Sequence, residues 1–413
     1  MITLVEALNY RCLRYIRQPL GPFHVLVGPN ASGKTTFLDV IAFLGRLVSD
    51  GPDAAIEERT QNFYDLVWGR EGTRFELAIE ARIPDALPYR LKEFDTIRYE
   101  VGLEIIPQTQ VRGIVYEDLI LKQTEATATV SRAKLPLSLM ENLDELDHQV
   151  VIAKDSQEDG YSPETEDKTY RRAAWRPMEL RMGPRRSALQ FLPPSIEAYP
   201  ASSWFKEALT SSVQQFVLNS LLIRKASPPG QGLGFRTDGS NLPWVVAELR
   251  KRSPDPFRQW IAHLRTAFPD LEDIDTIERP EDRHRYLVFQ YNDGLKVPSW
   301  MASDGTLRML ALTLPAYLGD FRGIYLIEEP ENGIHPRAIE TMTQSLSSVY
   351  DAQVLLATHS PVILSTVGAE QVLCFAKDAE GATMITKGSE HPALKSWKHE
   401  TTLGTLFAAG VLG

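Results

Sequence analysis

The segment Gly28-Pro-Asn-Ala-Ser-Gly-Lys-Thr35 fits the pattern G-x-x-x-x-G-K-[ST], and its surroundings constrain the fold more than any other feature of the chain. Ahead of it, the turn signal Leu20-Gly21-Pro22 opens a short apolar run from Phe23 to Val27. Behind it, Phe37, Leu38, Ile41, Leu44 and Leu47 recur at helical spacing. A strand, a glycine-bearing loop and a helix in that order aim backbone N–H groups and the positive end of the helix at one point, which is a cradle for phosphate. Lys34 is expected to reach the outer phosphates and Thr35 to ligate Mg²⁺, with Gly28, Asn30, Ala31, Ser32, Gly33 and Thr36 forming the rest of the wrap. The predicted fold class is α/β, with a P-loop core.

Three later segments fit that core. Gly323-Ile-Tyr-Leu-Ile-Glu-Glu-Pro-Glu331 runs through four apolar residues into carboxylates, as a buried parallel strand does when its C-terminal end opens at a ligand crevice. Glu328 is then expected to bind Mg²⁺ through water, and Glu329 to polarise an attacking water. The strand Gln353 to Ala357 ends in Thr358-His359-Ser360-Pro361, where His359 can hydrogen-bond a γ-phosphate or the lytic water. Ser303-Asp-Gly-Thr-Leu-Arg308 precedes the helical pattern Leu307, Leu310, Ala311 and Leu314, which places Ser303 and Gly305 at a helix N-terminus. From these residues alone, Ser303 is as well explained by capping.

The rest of the chain bounds the alternatives. Its 413 residues, 43% hydrophobic and 24% charged, are those of a folded protein with a large core. The first twenty residues lack the unbroken apolar core of a secretory signal, and no stretch approaches the length of a membrane span. A cytoplasmic protein without a membrane partner is expected. Cys12 and Cys374, far apart and without His or Cys neighbours at ligand spacing, suggest buried free thiols rather than a disulfide or zinc site. A formal net charge of -10 excludes a generally basic surface, so any DNA contact must be local.

Four stretches are predicted. Residues 1–70 hold the N-terminal part of the core. Residues 71–190 hold a β-rich and loop insertion, in which FELAIEAR, IRYEVGLEII and GIVYEDLILK alternate as antiparallel strands do. The acids crowded between Glu141 and Asp167 read as an exposed loop. Residues 191–284 form a helical lobe broken at SPPGQGLG and SPDP, so the long arms of a chromosome-organising ATPase are absent; Trp204, Trp244, Trp260 and Trp300 are expected to pack it. Residues 285–413 return to the core, and the apolar tail Leu403 to Leu412 is read as a terminal helix packed on it or a docking segment. Within the insertion, Arg171, Arg172, Arg176, Arg181, Arg185 and Arg186 concentrate with two aromatics. They are a candidate DNA-binding patch, and equally a surface that neutralises the acidic run before it.

GPNASGKTT, SDGTLRMLAL, YLIEEPENGIHP and ATHSP, with the upstream DGSNLPWVVAEL, together resemble the ABC-type ATPases of the Rad50, SMC, RecF and OLD group, most of all the short OLD-like AAA15 (AAA21-type) ATPases of prokaryotic defence loci. The resemblance implies a P-loop ABC-type ATPase head that uses ATP and Mg²⁺. It implies a homodimer or higher homo-oligomer in which Ser303 and Gly305 of one copy meet the γ-phosphate held by the other. It implies that Asn332 to Pro336 cross between the two sites, and that Asn9-Tyr10-Arg11 lie near adenine and ribose, Arg11 among the ATP-binding residues. The sequence departs from transporter ATPases in its signature, SDGTL. Glu328 stands in place of the more usual Asp, and His335 stands where many relatives have Asp. Gln61 is a candidate for the glutamine loop. OLD nucleases continue into a Toprim nuclease domain after this core, for which this sequence shows no room, so an effector is expected to be a separate protein. The function implied is an ATPase subunit whose ATP-dependent dimer controls a separately encoded nuclease or toxin in antiviral defence; a RecF-like DNA-repair clamp and a transporter ATPase subunit are the alternatives.

Overall fold

The computed structural model describes residues 1–87, 93–106, 108, 110–124, 135–140, 148–155, 163–166, 182–193, 195–232, 234–319, 321–349, 351–392 and 402–410. In chain order its strands are β1 (Ile2–Tyr10), β2 (Leu13–Pro19), β3 (Phe23–Val27), β4 (Arg74–Arg82), β5 (Thr96–Ile106), β6 (Val111–Lys122), β7 (His148–Asp155), β8 (Val213–Phe216), β9 (Leu271–Glu278), β10 (Arg285–Tyr291), β11 (Lys296–Pro298), β12 (Gly323–Glu328), β13 (Ala352–Ala357), β14 (Val372–Lys377) and β15 (Thr383–Lys387). Its α-helices are α1 (Lys34–Asp50), α2 (Pro52–Glu57), α3 (Pro200–Ser211), α4 (Ser220–Arg224), α5 (Leu242–Arg252), α6 (Pro254–Ala267), α7 (Asp304–Thr313), α8 (Pro336–Ser347), α9 (Pro361–Leu364) and α10 (Leu403–Ala408). These fall into two compact units, each drawn from three stretches: Met1–Gly21, Pro29–Val213 and Phe375–Ile385; and Pro22–Gly28, Gln214–Cys374 and Thr386–Gly413.

The first unit is built on a six-stranded sheet in the order β2-β1-β4-β5-β6-β7. Each neighbouring pair runs antiparallel. The predicted alternation is present, but its strands pair with the N-terminal hairpin, so the sheet joins residues from both sides of α1. Register sets Ala7, Leu77 and Val101 across one another on one face, with Val5, Ile79, Tyr99 and Leu119 in the next row. Helix α1 brings Phe43 to Phe75 of this face, edge to face at 5.7 Å.

The opposite face is charged, yet also buried. Arg98, 1% exposed, donates to Glu100 at 2.7 Å, Glu6 at 3.0 Å and Glu80 at 3.1 Å, and Lys122 donates to Glu80 at 2.8 Å. Burying ions is tolerated only when they are paired and hydrogen-bonded, as here. Glu76 accepts from the Tyr116 hydroxyl at 2.8 Å, the Ser138 hydroxyl at 2.8 Å and the Leu139 amide at 2.6 Å.

The acidic stretch departs from the exposed loop that its composition suggested. His148–Asp155 is a strand paired to β6. Glu166 is buried, accepting from the Ala201 and Ser202 amides at 2.7 and 2.8 Å, a carboxylate cap on the first turn of α3. The surrounding charge masked the Val150-Val151-Ile152 run that makes β7 a strand. Most of the other acids of that stretch lie outside the described residues.

In the second unit, β14, β3, β13 and β12 lie side by side and parallel, within the sheet order β15-β14-β3-β13-β12-β8. Strands covered on both faces read as nearly continuous apolar runs, which accounts for Phe23–Val27, interrupted only by His24, and for Val354–Ala357. The covering core draws on Leu249 and Trp260 of the helical segment, Leu307 and Leu310 of α7 and Met342 of α8. Pro254 closes α5 and opens α6, a position where its missing N–H is harmless. Trp260 is fully buried and donates to the Thr313 hydroxyl at 2.9 Å. Trp244, half-buried on α5, donates to Ser227 O at 3.3 Å, whereas two others depart from the packing expected of them: Trp204 belongs to α3 in the first unit, and Trp300 is 51% exposed. Leu403 of α10 is buried in this core. Among the described residues, no helix is long and apolar enough to cross a membrane.

Candidate active site

Strand β3 is wholly buried, and the chain leaves it through Gly28 into the loop that the sequence marked. Ala31 and Gly33 take left-handed backbone angles, φ 61° and 105°, and turn the loop back on itself. Gly33 has a second reason to lack a side chain, because a Cβ there would sit 2.2 Å from Thr383 Oγ1 and 3.1 Å from Cys12 Sγ. The Thr383 hydroxyl donates to Ser32 O at 2.9 Å and closes the underside of the loop. Lys34 is buried, and its ammonium donates to Pro29 O at 2.9 Å across the loop mouth. Pro29, Asn30, Ala31 and Thr35 are exposed and Thr36 half-buried.

Helix α1 begins without a side-chain cap and with no acidic residue in its first turn. No side-chain cap or carboxylate of the first turn offsets the positive end of its dipole, which favours an anion there. Ser32 Oγ is buried and has no hydrogen-bond partner, as expected of a group whose partner is a ligand. The donor set thus fits a polyphosphate. Cys12 is half-buried, not buried as expected, and its thiol lies 3.4 Å from the Thr36 hydroxyl.

Arg11 and Asn9 both have positive φ, 50° and 57°. Arg11 pairs with Asp39 of α1 at 3.3 Å, and Asp39 also accepts from the Tyr10 hydroxyl at 2.6 Å and Arg59 Nε at 2.7 Å. Burial, then the Asp39 carboxylate, hold the Tyr10 phenol well above its usual range. This knot ties the β1–β2 turn to the first helical turns after the loop. Sequence reading named Arg11 but missed Asp39 and Arg59. Gln61 is exposed, just before the 3₁₀ turn Phe63–Leu66.

In the second unit the acidic strand end and the histidine strand end are neighbours. Glu328 pairs in register with Ala357, and the Glu329 amide donates to Ala357 O at 2.8 Å. Glu329 adopts φ 45°, a conformation that a non-glycine residue holds only when its surroundings require it. Its carboxylate is exposed and accepts from Asn332 Nδ2 at 2.6 Å. Glu331, read from the sequence only as the end of the acidic run, accepts from the Thr358 hydroxyl and from the His359 amide at 3.1 Å. It therefore fixes the half-buried His359 against the end of β12. Sequence offered one signal for this, a third carboxylate where two would serve.

Ser303 is the N-cap of α7, with Oγ accepting from the Thr306 amide at 3.1 Å. Gly305 packs on the segment Asn332 to Pro336 of the same chain, where a Cβ would lie 2.3 Å from Gly333 O. His335 caps α8, its Nδ1 accepting from the Arg337 amide at 3.3 Å. Of the arginine patch, Arg171, Arg172, Arg176 and Arg181 lie outside the described residues. Arg185 pairs with Asp53 at 3.0 Å, and Arg186 stacks over Phe191 at 5.4 Å. Among the described residues, no group of His, Cys, Asp and Glu side chains would hold a metal by itself.

The fold is that of a P-loop ATPase head. It resembles an Smc head bound to the C-winged helix domain of ScpA, with a TM-score of 0.54 and 12% identity over 93% of this chain and 97% of the other. A second Smc head, bound to the C-terminal domain of ScpA from Pyrococcus furiosus, gives 0.50 and 12% identity over 93% and 95%. A family model matches residues 23–136 and 167–365, and the chain belongs to that family, AAA_21, described as "AAA domain, putative AbiEii toxin, Type IV TA system". Two curated relatives are similar to parts of the chain. The retron Vc95 probable ATPase of Vibrio cholerae is 30% identical over 234 residues, spanning 47% of this chain and 45% of the relative. The OLD nuclease of Thermus scotoductus is 49% identical over 41 residues, 10% of this chain and 8% of the nuclease. The chain thus spans less than half the length of either relative that it matches.

Proposed function

We propose that this chain binds and hydrolyses ATP with Mg²⁺ between two copies of itself, and that closure of the dimer controls a separately encoded effector in antiviral defence. The observation that carries the ATP reading is the phosphate loop: a left-handed turn at Ala31 and Gly33, an uncapped α1 and an unpartnered Ser32 hydroxyl. In this reading Gly28, Asn30 to Gly33 and Thr36 wrap the phosphates, and Lys34 exchanges Pro29 O for phosphate oxygens. Thr35 and Glu328 would hold Mg²⁺, which neutralises charge on the phosphates when bound. Glu329 takes a proton from the attacking water, oriented by Asn332, while His359, fixed by Glu331, bonds the γ-phosphate. Ser303 and Gly305 of the second copy complete the site. The defence role and the effector are supported by the toxin system named in the family's description and by the resemblance of the motifs to ATPases of defence loci.

The test is a Glu329→Gln chain mixed with ATP and Mg²⁺. Loss of turnover together with a stable ATP-dependent dimer is expected, since the substitution removes the base and leaves the phosphate contacts. A chain that turns over ATP as a monomer, indifferent to Ser303→Arg, would overturn the shared site.

A further inference from the structure

The signature helix carries a charge that its proposed task should exclude. Asp304 follows the cap Ser303 as the first residue of α7, and its side chain is 62% exposed. For the helix alone, a carboxylate there is favourable, because it faces the positive end of the dipole. For a segment that must receive nucleotide phosphates, the same carboxylate is repulsive.

Arg224, the last residue of α4, meets that charge. Its guanidinium pairs with Asp304 through Nη2 and donates from Nη1 to Trp300 O at 3.3 Å. Its own carbonyl accepts from the Ser299 hydroxyl at 2.9 Å. The arginine is thereby held at both ends against the segment that leads into the signature. Arg308 lies on the same helix at i+4 from Asp304, a spacing that suits an ion pair, yet Asp304 pairs with Arg224. Ser303 already supplies the cap, so the Asp304 carboxylate is not needed for capping and can be turned toward Arg224.

We infer that Arg224 is a positioning residue of the signature segment, neutralising Asp304 and holding it aside so that the start of α7 can accept the nucleoside triphosphate of a second copy. The inference rests on the shared-site reading above. It explains how SDGTL can serve where a glycine at the second position would carry no charge.

The test is an ATP titration of the full-length Glu329→Gln chain with Mg²⁺, with dimer measured by analytical ultracentrifugation. Arg224→Gln should raise the ATP concentration for half-maximal dimer roughly tenfold, the scale of one charge-assisted hydrogen bond. Thermal unfolding of the nucleotide-free chain should be unchanged. Adding Asp304→Asn to Arg224→Gln should return the titration to near the parent curve, and added salt should narrow the gap between parent and single variant. An Arg224→Gln curve equal to the parent's overturns the inference. So does an equal loss in the single and double variants, which would mean that Arg224 props up the segment or touches phosphate itself. If the parent forms no ATP-dependent dimer, the shared site fails and this inference falls with it.

Discussion

In the parallel sheet, β12 and β13 carry no charged residue until Glu328, and Glu329 and His359 follow just past the strand ends. In the antiparallel sheet, β4, β5 and β6 carry charges along their length, and Glu76, Glu80, Arg98, Glu100, Glu117, Asp118 and Lys122 are all buried. Parallel strands covered on both faces exclude charge until the backbone emerges, so what charge there is faces a ligand or solvent. The antiparallel sheet keeps its charges inside, pairing Arg98 and Lys122 with Glu6, Glu80 and Glu100 and holding Glu76 and Glu117 with hydroxyl and amide donors. The difference predicts that substitutions at the parallel strand ends and the loop leaving β3 alter chemistry with little effect on stability, and that substitutions among the buried charges do the reverse.

The largest effect should come from Arg98→Ala. It leaves Glu6, Glu80 and Glu100 without their shared cation and should cost about 3–5 kcal/mol in denaturant unfolding. ATP turnover per folded molecule should stay near the parent's. A loss under about 1 kcal/mol, the scale of an exposed ion pair, would break the comparison.

Lys34→Ala should act oppositely. Turnover should fall by about 100-fold or more, as expected when a cation aimed at a transferring phosphoryl group is removed. Stability should change by about 1–2 kcal/mol, the scale of a hydrogen bond such as that to Pro29 O.

The smallest and sharpest effect concerns Asp118. Burial, then the carboxylates of Glu100, Glu117 and Asp155, push its carboxyl up to about 7. An unfolded Asp titrates near ~3.9. Between those values the folded chain holds a proton that the unfolded chain has lost, so stability falls as pH rises through this window and levels off above it. Asp118→Asn should therefore gain roughly 1–3 kcal/mol over the parent at pH 8 and nothing at pH 4, read as unfolding free energy against pH. An equal gain at both would assign the effect to packing rather than to titration.

Legibility followed the same division. The loop Gly28–Thr35, the carboxylates after Ile327 and the histidine after Ala357 could be named because each sits where an apolar run stops, a change visible along one dimension. Strands β4, β5 and β6 of the antiparallel sheet were equally visible as alternation. The role of their charges was not, since a polar face toward water and a polar face folded into ion pairs have the same pattern. Glu166 and β7 were lost within an acidic stretch for the same reason. Arg59, Asp39 and Arg224 escaped notice because their partners lie far away in sequence or in another motif, and no local spacing announces them.

The sequence by itself determined the P-loop core, the order of its motifs and the residue types that would meet a phosphate, because strand, loop and helix are set by local periodicity and by glycine at left-handed turns. Only the tertiary structure decided that the hairpin before the loop completes a sheet made after it, that Glu331 fixes His359 and that Arg224 covers Asp304. Those outcomes depend on pairings between distant segments, where burial makes an unpaired charge costly and so selects its partner.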